Sequence, residues 1–178
     1  MRVLLRLALI VPLAVLTTSC GYTLAGRGSF LPASIKTIGV PPFGNATSFY
    51  QVEQVLAEKV RTEFIGRGKY RVLPQETGVD AVLKGEIIGV SITPSSFNQQ
   101  QQATRYVIMV TAKLDFSEVA TKKVLWSNPA LVFREEYEVT SVGKTLDASV
   151  FFGQEANALE RVATDFARSV VSAILEAF

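Results

Sequence analysis

The sequence predicts an α+β domain: a mostly antiparallel β-sheet with two α-helices packed on one face, in the order strand, helix, several strands, helix. Three observations carry this. Val52, Val55, Leu56, Val60 and Phe64 recur at intervals of three and four, which is one helix stripe. Leu159, Val162, Ala163, Phe166, Val170, Ala173 and Ile174 repeat that spacing towards the C-terminus, where Val171, Leu175 and Phe178 widen it. Between them Tyr106, Ile108, Val110, Ala112, Leu114 and Phe116 point one way, while Arg105, Thr111, Lys113, Asp115 and Ser117 point the other. Packing both helices on the apolar sheet face buries all three patterns at once.

The chain begins with a segment of another kind. Arg2 and Arg6 lead into Leu7–Leu16, ten residues apolar without a break. At about 1.5 Å each they cannot cross a hydrocarbon core that needs roughly 20. Basic start, short apolar middle and small residues at Thr17-Thr18-Ser19 describe a cleavable secretory signal over 1–19. Leu16 to Cys20 resembles the lipobox of bacterial lipoproteins, with Thr17 where that motif usually carries Leu. Cys20 is then the first mature residue, bearing palmitate-type lipid on its sulfur and amino terminus. Each buried methylene contributes about 0.8 kcal/mol, so two or three acyl chains anchor stably. The competing reading is a plain signal with an incidental thiol, but a lone free Cys is odd in an exported protein.

Removing Arg2 and Arg6 leaves 16 basic residues against 16 acidic ones, so the basic balance of the whole chain belongs to the leader. Nucleic acid is therefore not an expected partner. The mature charge is uneven: 12 basic and 8 acidic residues over 20–123, then 4 and 8 over 124–178. Residues 20–34, broken by Gly21, Gly26, Gly28 and Pro32, read as a tether, leaving 35–178 as one domain.

Ile35–Val40 reads as a strand stopped by Pro41-Pro42. Ser48 and Gln51 offer a capping box for the first helix, which Gly66 and Gly68 end. Tyr70–Leu73 is a short strand. Ala81–Thr93 is a long one, whose Gly85 and Gly89 point to bulges or close packing. Pro94–Gln102 is polar, without period, and reads as a mobile hairpin loop. Arg105–Ser117 and Val124–Val139 are strands joined by a turn at Ala120–Lys123, and Pro129 marks a bulge or an edge. Val142–Phe152 connects to the last helix, which begins near Gln154.

Catalysis finds no support in the residue types. Histidine is absent, so no ordinary general base near pH 7 exists, and acylation removes the sole thiol. Glu136 and Glu138 share a strand face, where two carboxylates are ordinarily solvated. No glycine-rich phosphate loop fits; Gly66-Arg67-Gly68-Lys69 is too short and follows a helix. The expected protein is a non-enzyme without cofactor or metal.

The stretches Cys20-Gly21-Tyr22-Thr23-Leu24-Ala25-Gly26, Leu31-Pro32, Ile35–Ile38, Asp80–Gly85, Leu125-Trp126 and Glu155–Phe178 together resemble, in order, the lipopolysaccharide-assembly lipoprotein family (LptE). That resemblance implies an outer-membrane lipoprotein on the periplasmic face that plugs a large β-barrel translocon and helps lipopolysaccharide reach the outer leaflet. Gly21 in place of an acidic residue suits an outer-membrane destination. The implied partners are the barrel, lipopolysaccharide and, through the anchor, the membrane. Lipopolysaccharide is an anionic amphiphile whose phosphates call for cations. The candidates are Lys122 and Lys123, the only adjacent lysine pair of the mature chain, with Arg105 and Lys113. Ile38–Thr47 is also similar to lipoproteins that activate cell-wall synthases and to secretion-channel lipoproteins. A carrier of a small lipid or glycan is a third class.

Overall fold

The alternation of residues 105–117 becomes the middle strand of three long ones in the computed structural model, which describes residues 31–67, 69–138 and 158–178. In chain order the elements are β1 Thr37–Gly39, β2 Gly44–Asn45, α1 Val52–Gly66, β3 Arg71–Leu73, β4 Ala81–Phe97, β5 Ala103–Glu118, β6 Val124–Glu138 and α2 Ala158–Leu175. The sheet runs β3-β1-β4-β5-β6, with β2 also alongside β4.

Both helices sit on one face. Phe64 of α1 lies 6.5 Å from Phe116 of β5, and Phe166 of α2 meets Phe133 of β6 edge-on at 6.0 Å. Val110 pairs with Phe133, so Phe116 and Phe133 share a side of the sheet. The alternating residues from Tyr106 to Phe116 are buried there with Leu56, Val60, Val162, Val170 and Ile174. Each such side chain contributes roughly 1.5–3 kcal/mol by leaving water. The two stripes and the alternation thus form one core, as the sequence pattern requires.

The sheet is mixed, where a mostly antiparallel one was expected. β1 runs parallel to both β3 and β4, and β2 runs parallel to β4; only β4–β5 and β5–β6 are antiparallel. The cause is the connection through α1. A strand–helix–strand crossover returns the chain in its original direction for β3. Residues 74–80 then carry it past β1 into β4 without reversing it, and the tight turns at 98–102 and 119–123 reverse it. The helix order is as expected, with the short β2 added before α1.

Three local expectations also change. Pro94–Gln102 is not a long loop: β4 continues to Phe97, and only 98–102 turn. Asn98 closes that turn by accepting from the Gln100 and Gln102 amides at 3.0 and 2.9 Å. The capping box does not form, because Gln51 adopts φ 69° and α1 has no side-chain cap. Asn45 organises the approach instead, its amide donating to the Phe49 carbonyl and to Glu53, both at 2.7 Å. Finally, Leu31 is only 5% exposed and belongs to the core, so 31–34 join the domain that was expected to start at 35.

The glycine and proline expectations in the long strands are realised. A Cβ on Gly85 would stand 2.7 Å from Phe43 and 2.8 Å from Leu114, so the ring packs directly on the strand backbone. Gly89 follows a register shift after Ile87, and a second shift surrounds Pro129 between Asn128 and Leu131. The leader, Cys20, Val139, the 142–152 connection and the start near Gln154 lie outside the described residues.

Candidate functional site

The four cations singled out from the sequence lie on β5 or its turn, and they do not form one cluster. Arg105 is at the start of β5, opposite Ser96 and Glu138. Lys122 and Lys123 follow its other end. The thirteen steps of strand from Arg105 to Glu118, at about 3.3 Å each, place the two groups roughly 40 Å apart. Arg105 therefore cannot help the lysine pair hold a single phosphate group.

Lys113 lies between these extremes on the sheet face away from the helices. It faces Glu86 across the ladder, while Lys84 faces Asp115 in the neighbouring row. These four and Gly85 line a shallow hollow of about 160 Å³. Lys84 Nζ also donates to Glu76 at 2.5 Å. Two lysines against two carboxylates make a balanced patch, poorly suited to a multiply charged anion. Further along this face Gly89, Thr111 and Val132 form a row, with Val132 56% exposed.

The lysine turn is built by its neighbours. The Glu118 amide donates to the Lys123 carbonyl at 2.9 Å, and Thr121 Oγ1 donates to the Glu118 carboxylate. Lys122 takes φ 57°, a left-handed conformation uncommon outside glycine, asparagine and aspartate. Ser34 Oγ donates to Glu118 at 3.4 Å, so the N-terminal segment of the domain touches this turn.

One polar device was invisible in the sequence. Asp80 accepts from the Lys36 amide at 2.9 Å, the Thr37 amide at 2.8 Å and Thr37 Oγ1 at 2.7 Å. The Asp80 amide returns a bond to Thr37 O at 3.0 Å. The hydrogen bond from the Thr37 hydroxyl, then those from the Lys36 and Thr37 amides, hold the Asp80 carboxyl below its ordinary value of 3.8. Forty-three residues separate the partners, and no local pattern announces such a clamp.

Among the described residues no three His, Cys, Asp or Glu side chains gather as a metal site. No described buried side-chain polar atom lacks a partner. What the arrangement offers is surface: an open sheet face, a long outer strand and two dissimilar ends.

The lipopolysaccharide-assembly family model LptE matches residues 35–174. The chain belongs to the LptE family. No characterised protein sequence matches it in direct comparison. Solved structures share the fold at low identity. A hypothetical protein from Chlamydia trachomatis has TM-score 0.52 and 10% identity, over 80% of this chain and 97% of that one. The PelC dodecamer from Paraburkholderia phytofirmans gives 0.51 and 15%, over 82% and 90%. A Xanthomonas campestris protein gives 0.50 and 14%, over 83% and 90%. As a member of the LptE family the protein is a lipopolysaccharide-assembly component.

Proposed function

We propose that this LptE-family protein is an outer-membrane lipoprotein, acylated at Cys20, that plugs the β-barrel lipopolysaccharide translocon from the periplasmic side. It contributes no chemistry; it helps the barrel assemble and lipopolysaccharide pass to the outer leaflet. The observation that carries this reading is the family match spanning nearly the whole domain. Support comes from the long strands, whose open face and outer edge suit docking against another sheet-lined wall. No described helix is long and apolar enough to cross a membrane.

Lys122 and Lys123 are the proposed contacts for lipopolysaccharide phosphates, with Lys113 and Arg105 reserved for other parts of so large a ligand. The deciding experiment is affinity purification of the tagged protein from membranes. Co-purification of a large barrel supports the proposal. A penicillin-binding enzyme in its place supports an activator of cell-wall synthesis, and neither supports a small-lipid carrier. Cys20→Ala should leave an exported, unacylated protein that fractionates away from the outer membrane; undiminished retention refutes the anchor.

A further inference from the structure

The sheet has two open flanks, and they are finished differently. On the β6 flank Pro129 has no amide to offer, and Arg134, Glu135, Glu136 and Glu138 crowd the end of the strand. Proline and charge at an edge discourage a further strand. On the β4 flank, β1 covers Ala81 and Val82, and β2 covers Glu86 and Ile87. From Ile88 to Phe97 no described strand lies beside β4 on that side. That stretch carries no charged residue, although 19% of the chain is charged. Val90, Ile92 and Thr93 within it are strong strand formers.

Asn45 makes the opening. Its side-chain oxygen accepts from the Thr47 amide and hydroxyl at 2.8 and 2.7 Å, which turns the chain off the sheet after the two residues of β2. The last bond before that turn runs from the Ala46 amide to the Ile87 carbonyl at 2.9 Å. Ile87 therefore turns its backbone away from β5. Past the bulge at Ile88 the alternation gives that outward turn to Val90 and Ile92. Pro94, next in the series, has no amide to donate and closes the run. Two amides and two carbonyls thus face outward at strand spacing. Exposed apolar side chains bracket them: Ile88 is 42% exposed at one end, Phe97 59% at the other, and Tyr50 90% on the turn that leaves β2.

A row of alternating N–H and C=O groups is matched by one chemistry, the backbone of an extended polypeptide. We infer that β4 accepts a further strand along Ile88–Thr93, supplied by an extended, uncharged segment of the barrel protein that lies outside the barrel wall. The inference rests on the plug reading proposed above. A closed barrel pairs every wall strand on both sides, so its wall has no free ladder to offer, whereas loops entering the lumen do. The added strand continues the line that β2 abandons. Its side chains alternate, apolar ones beside Val90 and Ile92 on the helix face and small uncharged ones beside Ser91 and Thr93 on the other. A charge on that strand would find no counter-ion along this part of β4.

The test compares the tagged protein alone with the complex in which it co-purifies with the barrel. Hydrogen exchange resolved by residue should show the Val90 and Ile92 amides slowed about tenfold in the complex, as a gained backbone hydrogen bond requires. Ser91 and Thr93 are exposed and suit a photo-cross-linking residue, p-benzoylphenylalanine. From these two positions the adducts should fall two residues apart in one barrel segment outside the wall, the period of a paired strand. Ser91→Lys/Thr93→Lys brings to this edge the charge that guards β6 and should lower barrel recovery several-fold. Ser91→Val/Thr93→Val should leave recovery unchanged. Adducts on wall strands, adducts between two copies of this chain, or unchanged exchange in an intact complex each overturn the inference while the plug reading stands. A purification without any barrel refutes the plug reading, and the inference with it.

Discussion

The two halves of the sheet are held together by different means. In the antiparallel half, β4, β5 and β6 are 15 to 17 residues long and pair along almost their whole length. Backbone ladders, repeated many times, define that half and tolerate a bulge at Ile88 and another at Pro129. In the parallel half, β1, β2 and β3 have two or three residues each. So few ladder bonds cannot fix a register, and side chains take over. Asp80 clamps the start of β1, Arg61 Nη1 donates to the Val40 carbonyl at 2.9 Å beyond its end, and Gly39 lets the 75–79 segment lie against the strand. A long ladder is forgiving; a short one depends on individual atoms.

The harshest break of this contrast removes the layer that both halves share. Truncation after Arg168 deletes Val170, Val171 and Ile174, all fully buried, together with Leu175. At roughly 1.5–3 kcal/mol each, against a typical 5–15 for a domain, cooperative folding should be lost. A circular-dichroism melt within a degree or two of the parent would instead make α2 a docking tail.

A matched pair of glycines separates the halves more finely. A Cβ on Gly39 would lie 2.2 Å from the Gln75 carbonyl oxygen, so backbone must move. Gly39→Ala should cost on the order of 1–3 kcal/mol. In β4, a Cβ on Gly89 meets only Thr111 side-chain atoms at 3.5 and 3.6 Å, ordinary contact. Gly89→Ala should stay within about 0.5 kcal/mol of the parent or gain slightly from the stiffer unfolded chain. Urea titrations that rank the two in the opposite order break the comparison.

The clamp gives the parallel half an acid sensitivity of its own. Because the folded pKa of Asp80 is lowered, its bonds stabilise the fold above pH 3.8 and lose that effect as pH falls through the folded value. Asp80→Asn should therefore weaken the protein at neutral pH and flatten that part of the acid limb in a pH series of melts. An unchanged acid limb would show the clamp to be energetically idle. The mildest effect belongs to the antiparallel half. Lys122→Gly trades backbone strain against chain entropy and should shift stability by no more than about 0.5 kcal/mol, read as a small Tm change.

Legibility in the sequence followed the same division. The alternation from Arg105 to Ser117 spans enough residues to declare a strand, and the stripe from Val52 to Phe64 enough to declare a helix. Three residues such as Thr37-Ile38-Gly39 contain too few side chains to show a period, let alone a parallel direction. The order β3-β1-β4 depends on pairings between residues more than thirty apart, such as Thr37 with Arg71. The candidate site was half legible for a similar reason. Its cations could be named from composition and turns, and the strand read from Arg105 to Ser117 already set Arg105 and Lys122 at opposite ends. The carboxylates that face Lys113 and Lys84 across the ladder had to be seen. Ser34 beside Glu118, 84 residues away, had no signature at all.

The position of β1 also sets a timetable. β1 comes before every other strand in the sequence, yet it sits between β3 and β4, which are made later. The β4–β5–β6 meander needs only short turns at 98–102 and 119–123 to close, and short closures are fast. A chain emerging amino-terminus first therefore carries Ile38 unpaired while the meander forms. That early segment is greasy: Leu31, Ile35 and Ile38 are all buried in the folded domain. Folding thus runs against the direction of synthesis, and the first strand made is the last to find its place in the sheet.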